Sequence, residues 1–244
     1  MKALKFTVSG RTAFFKIPEV NSVCYFTYGN LHKPALLGML GAIMGYSGYS
    51  KQKEDGGMYP AYYEKLQHLR VSILPAAKDG YFPKKVQVYN NSVGYASAEE
   101  GGNLIVKEQW LENPAWTVYV LLDSKEAEAV EAQFMAHRCI YMPYLGKNDH
   151  PATISGVETV DLEAVELEGM DLDEEEIELR CLTPDKVADF DLDAFSFKYG
   201  EFLPVALRQE TNQYVSEKFI LTDGILMDCK TPLYRDGKTY IVFY

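Results

Sequence analysis

His32, Lys33 and Tyr46 are, by type and place, the side chains best suited to chemistry. The first two precede an apolar stretch, Pro34–Gly45, and the third follows it. An imidazole, an ammonium and a phenol are groups that general acid–base catalysis draws on. His32 and Lys33 also stand where a helix N-terminus offers free N–H groups and the positive end of its dipole, which favours an anion. The other reactive side chains offer less. The four histidines (His32, His68, His137, His150) show no HxH or HExxH spacing, so no metal and no other cofactor is expected. The four cysteines (Cys24, Cys139, Cys181, Cys229) lie far apart with no CxxC pair, which predicts free thiols in a reducing cytoplasm.

An element has to hold these groups, and Pro34–Gly45 is predicted to be a helix. Leu36, Leu37, Met39, Leu40, Ile43 and Met44 leave it almost no polar face, so it belongs in a core. Pro34 suits the first helical position, where a missing N–H does no harm. Only about twelve residues are apolar, short of the roughly 20 that a membrane span needs. Gly38, Gly41 and Gly45 recur on one side, each costing about 1 kcal/mol of helix propensity. Such a stripe suggests close packing against another backbone.

The rest of the chain supplies a frame. Lys2–Ser9 reads as a first, central strand, and Gly10–Leu31 as a long aromatic connection. Connections of that length are usually functional or disordered, and this one is too aromatic for disorder. Tyr59–Leu69 reads as an amphipathic helix and Arg70–Leu74 as a strand. Gly80–Asn113 reads as a projecting hairpin, Trp116–Leu122 as a strand, and Ser124 as the cap of a helix with Glu126 and Glu128 early and His137 and Arg138 late. A strand is predicted from Thr153 towards Val165. The order β-α-β-β-α-β is the ferredoxin-like, RNA-recognition-motif arrangement of an α+β domain. No RNP1-type string occurs, so base stacking on the sheet face is not expected. The expected division is a domain at 1–168, with residues 80–113 as an inserted hairpin, and a small β-rich lobe at 169–244.

The net charge of −11 is unevenly spread. Residues 1–157 hold 16 basic and 14 acidic side chains, residues 158–178 hold 11 acids and no base, and residues 179–244 hold 8 bases and 10 acids. A like-charge block is usually a solvated face, although it could dock a basic partner. The acidity of the whole chain therefore excludes no polyanionic partner.

Several stretches together resemble the Cas five family of CRISPR-associated proteins, closest to its type I-B branch. They are the first strand ending at Gly10 with Ala13-Phe14-Phe15, the Tyr25–Tyr28 segment running into Leu36–Tyr46, Asn90–Tyr95, Gly101–Leu111 and Tyr144–Ala152. The resemblance covers about residues 1–165. It implies a ferredoxin-like domain with a hairpin thumb at Gly80–Asn113. It also implies a cytoplasmic subunit of a type I effector complex, Cascade, that binds and caps the 5′ handle of the guide crRNA and helps nucleate assembly in antiviral defence. The implied partners are that handle, the backbone and large subunits and, indirectly, target DNA, with no membrane. Handle recognition would combine phosphate contacts with hydrogen bonds or stacking to splayed bases. The candidate RNA-binding residues are Arg11, Lys16, Tyr28, His32, Lys33, Lys84, Lys85, Asn90, Asn91, Lys107, Lys147 and His150. Against this stand plainer roles: a surface lysine is usually just solvated, and His150, before Pro151, could simply order its loop. The type I-C branch is a metal-independent ribonuclease whose Lys-His pair this chain lacks, having only His32-Lys33 in reverse. No catalytic residue is therefore expected; the alternative is a repeat-cleaving endoribonuclease using Tyr46, His32 and Lys33.

Overall fold

The computed structural model describes residues 1–19, 23–166, 177–191, 193 and 195–244. In chain order it runs β1 (Lys2–Ser9), β2 (Thr12–Ala13), α1 (Lys33–Met44), α2 (Gln52–Asp55), α3 (Ala61–Leu66), β3 (Val71–Pro75), β4 (Lys84–Asn90), β5 (Ile105–Glu112), β6 (Ala115–Leu121), α4 (Lys125–Met135) and β7 (Thr153–Asp161). There follow β8 (Glu163–Val165), β9 (Thr183–Pro184), β10 (Ala188–Asp191), β11 (Lys198–Leu207), β12 (Tyr214–Thr222), β13 (Ile225–Cys229), β14 (Leu233–Asp236) and β15 (Thr239–Val242).

The central sheet is antiparallel with order β3-β6-β1-β7, so β1 is indeed interior. With α1 and α3 between β1 and β3, and α4 between β6 and β7, this is the ferredoxin-like topology. Alternation along the strands decides which side chains face which layer. Leu4, Phe6, Val8, Trp116, Val118 and Val120 face α1 and α4, and Phe6 meets Phe134 of α4 at 4.5 Å between ring centroids. Ala3, Tyr119 and Leu121 face the other way, into a second core with Leu179, Leu226, Leu233, Ile241 and Phe243. The sheet face that could have stacked bases is thus covered by C-terminal strands.

α1 behaves as its composition requires. His32 caps it through Nδ1, which accepts from Ala35 N at 3.3 Å, and Gly45 ends it with φ +76°. Lys33 lies inside the helix as its first residue rather than ahead of it. Of the glycine stripe, Gly41 and Gly45 are packed tightly: a Cβ at Gly41 would collide with Cβ of Tyr62 on α3 and one at Gly45 would press on Ile140 at 3.0 Å, whereas a Cβ at Gly38 would make only ordinary contact. Gly41→Ala should cost about 1–3 kcal/mol by overpacking. Gly38→Ala should cost nothing. Chemical denaturation of the two variants checks the contrast, and equal midpoints would contradict it.

Several boundaries differ from the sequence reading. The second helix is confined to Ala61–Leu66, after Pro60. α4 ends at Met135, so His137 and Arg138 lie beyond it, His137 with φ +50°, and neither supports its dipole. The strand from Thr153 divides at Leu162, after which β8 pairs with β14 instead of β1. The long connection is not structureless: β2 pairs with β5, Lys16 bridges Thr27, and Tyr25 bonds the backbone of Lys107 and Gln109. The expected domain boundary at 168/169 and the centre of the acidic block fall outside the described residues.

Candidate nucleic-acid interface

β4 and β5 form the hairpin read in the sequence, in register from Lys84↔Leu111 to Asn90↔Ile105. Its two faces differ. Val86, Val88, Ile105 and Lys107 point to solvent. The opposite face carries Lys85, Tyr89, Val106, Glu108 and Trp110, turned against the Gly10–Leu31 connection and the 144–151 loop.

A charged knot fastens that inner face. Glu108 is buried; both its carboxylate oxygens accept from Lys147 Nζ at 3.0 Å, and Oε2 also accepts from Trp110 Nε1 at 2.9 Å. Burial pushes the Glu108 carboxyl up, but the hydrogen bonds from Trp110, Lys147 and Tyr89 outweigh it and hold the group below its ordinary value. Lys147 is itself held above its usual value, burial being outweighed by Glu108. His150 packs edge-on to Trp110 at 4.6 Å and shares a 2.6 Å hydrogen bond between Nδ1 and Thr12 Oγ1. Lys147→Met leaves a buried carboxylate short of its main donor, so about 1–3 kcal/mol of stability should be lost. Adding Glu108→Gln should restore part of it. Thermal melts of the single and double variants decide; a loss within about 0.5 kcal/mol for the single variant would contradict the pairing.

The twelve candidate residues divide by location. Lys85, Lys147 and His150 meet in the knot, with Lys85 also paired to Glu112 at 3.4 Å. Lys16 and Lys107 are both exposed and meet around Tyr25, whose ring lies 4.0 Å from Lys16 Nζ and whose N–H donates to the Lys107 carbonyl. Arg11 is exposed at the hairpin base, where its carbonyl accepts from Asn113 N. Lys84 is half-buried on the side of Glu201. At the tip, the Asn90 carboxamide accepts from Ser92 N and donates to Asn103, so it shapes the turn, while Asn91 is exposed.

Tyr28, His32 and Lys33 form a separate, enclosed group. His32 is buried among the rings of Phe15, Tyr28 and Tyr214, and desolvation lowers its pKa to about 3. Lys33 Nζ donates to the Tyr244 carbonyl at 3.0 Å, and burial lowers its pKa to about 8. Tyr28 is buried, and its phenol is pushed up to about 12 by desolvation. Burial removes Tyr28, His32 and His150 from the surface that a ligand can touch. Glu108 and Trp110 were not singled out in the sequence. Their signal was the alternation Val106, Glu108, Trp110, which puts a carboxylate in the inward register between two apolar residues.

No family model matches the chain, and no curated protein matches it. Among solved structures, a CRISPR protein from Archaeoglobus fulgidus superimposes over 99% of this chain and 98% of its own, at 11% identity and TM-score 0.53. The fold is shared. A chain of a CRISPR RNA-guided surveillance complex gives looser agreement, with 13% identity, 92% and 91% coverage and TM-score 0.49. A chain of a type III-B Cmr-beta complex bound to cognate target RNA gives 10% identity, 93% and 86% coverage and TM-score 0.47. Among the described residues no helix is long and apolar enough to cross a membrane, and no three His, Cys, Asp or Glu side chains are grouped to hold a metal ion.

Proposed function

We propose that this chain is a non-catalytic subunit of a type I CRISPR effector complex, of the type I-B kind, that binds the 5′ handle of the guide RNA. The observation that carries the reading is the projecting hairpin, laced to the aromatic connection and presenting Arg11, Lys16, Asn91 and Lys107 to solvent from a rigid ferredoxin-like core. Exposed cations and amides on a fixed backbone suit phosphate positioning and base-edge contacts. The solvent-facing apolar side chains of the hairpin, Val86, Val88 and Ile105, suit a neighbouring protein subunit.

The alternative, repeat cleavage, needs an imidazole that can reach a ribose hydroxyl. His32 is enclosed and Lys33 is held by the Tyr244 carbonyl, which supports the non-catalytic reading. The test is purified protein with end-labelled repeat RNA in excess EDTA, run on native and denaturing gels. A shifted, intact RNA is expected. A shorter product would overturn the non-catalytic assignment, and an unshifted RNA would overturn RNA binding.

A further inference from the structure

A groove of about 670 Å³ runs along the glycine-bearing side of α1. Six tyrosines line it: Tyr46, Tyr49, Tyr62, Tyr141, Tyr144 and Tyr214. Its floor is bare backbone at Gly38, where nothing but the Tyr62 ring lies within 4 Å of an added Cβ. Among the described residues no acid lines the groove, and the charged side chain that does is Lys51. Lys65 adds a second cation, 4.2 Å over the Tyr46 ring.

The rings at the rim are exposed and yet fixed. Tyr141 is 60% exposed and Tyr144 is 44% exposed. The backbone N–H groups of Ile140 and Tyr141 donate to the Ile43 and Ala42 carbonyls in the last turn of α1. Tyr144 bridges Pro151 in the loop that His150 anchors. With Ile140 and Met142, Tyr141 and Tyr144 form a contiguous exposed apolar patch, the kind of surface that marks an interaction site. A slot with aromatic walls, a glycine floor, flanking ammonium groups and no acid among its described lining residues matches an unpaired nucleobase with its phosphate, since every base has a π-face and every nucleotide a negative charge.

We propose that this groove holds unpaired bases of single-stranded RNA, stacked on its tyrosines over the glycine floor. The proposal rests on the RNA-binding reading above and adds a second, stacking site to the hairpin. Binding of the full chain to a mixed-sequence single-stranded RNA of about ten nucleotides, followed by anisotropy over a salt series, separates the two. Tyr141→Ala and Tyr144→Ala should each weaken binding about five- to hundred-fold with an unchanged salt slope, as expected for lost stacking. Lys107→Gln should instead lower the slope by about 0.7. Gly38→Ala, which fits sterically, should melt no lower than the parent chain and still bind RNA more weakly. A fluorescent adenine analogue in the RNA should be quenched by the parent chain and less so by Tyr141→Ala. If the parent chain binds RNA and the tyrosine and Gly38 variants bind it equally well, the groove is overturned and the hairpin reading survives. If the parent chain binds no RNA, both fall.

Discussion

Trp116→Ala should bring the chain close to unfolding. The indole is fully buried on β6, edge-on to Phe15 at 5.9 Å and to Phe82 at 5.1 Å. Removing a ring of that size from a core costs about 3–5 kcal/mol. The polar loss adds to this. Trp116 Nε1 donates to Asn30 Oδ1 at 2.9 Å, and Asn30 Nδ2 in turn donates to the Gly80 carbonyl at 3.0 Å. Leaving the buried Asn30 oxygen unpaired costs about 1–3 kcal/mol more. Domains of this size hold only about 5–15 kcal/mol in total. Trp116→Phe keeps most of the volume and loses only the hydrogen bond, so it should fall between the parent and the alanine variant. Urea unfolding followed by circular dichroism measures both. An alanine variant within about 1 kcal/mol of the parent would show that the indole does not join the aromatic connection, the hairpin base and the sheet as described.

The second large effect is loss of stability in mild acid. His32 titrates near 6.5 when the chain is unfolded, but desolvation lowers it to about 3 in the fold. Between those values the unfolded state binds a proton that the native state does not. Stability therefore falls as pH falls, by about 1.4 kcal/mol per pH unit. His150 is also lowered, burial being the main cause, and acts in the same direction. Glu108 and Asp236, whose carboxyls are held low by their partners, add to the loss only below their ordinary values near 4.5 and 3.8. Glu201, whose carboxyl burial pushes up, acts the other way just above 4.5, so the loss over the interval from about 6.5 to 4.5 is carried by the histidines against that smaller opposing group. His32→Asn keeps a capping oxygen and removes the imidazole, so its melting temperature should depend less steeply on pH across that interval. Parallel slopes for variant and parent would refute a neutral, enclosed His32.

Periodicity makes much of the architecture legible in the sequence. The strand and helix order led to the ferredoxin-like sheet, and α1 runs from Lys33 to Met44 much as its apolar run and Pro34 required. Local chemistry also located the Ser124 cap, which accepts from Ala127 N at 3.2 Å, and the hairpin pairing. What sequence reasoning missed was tertiary. Tyr28, His32 and His150 look like surface polar groups in a string of letters, and only the packing of Phe15, Tyr214, Phe14 and Trp110 around them shows otherwise. The aromatic groove was equally hidden, because Tyr49, Tyr141 and Tyr214 come from distant parts of the chain and share a face only after folding. The glycine stripe points to another backbone, whereas the group packed on Gly41 is the Tyr62 side chain, which no local pattern identifies.

The outer edge of β3 carries a cost during synthesis. Val71 exchanges backbone hydrogen bonds with Tyr244, and the Ile73 carbonyl accepts from Leu182 N. A ribosome releases β1, β6 and β7 well before these partners, so the nascent sheet can assemble while its β3 border stays bare. An unpaired apolar border is what other nascent chains add to, and pairings so distant in sequence close slowly. The vulnerable interval for aggregation thus lasts until Leu182 and Tyr244 have emerged and docked on β3.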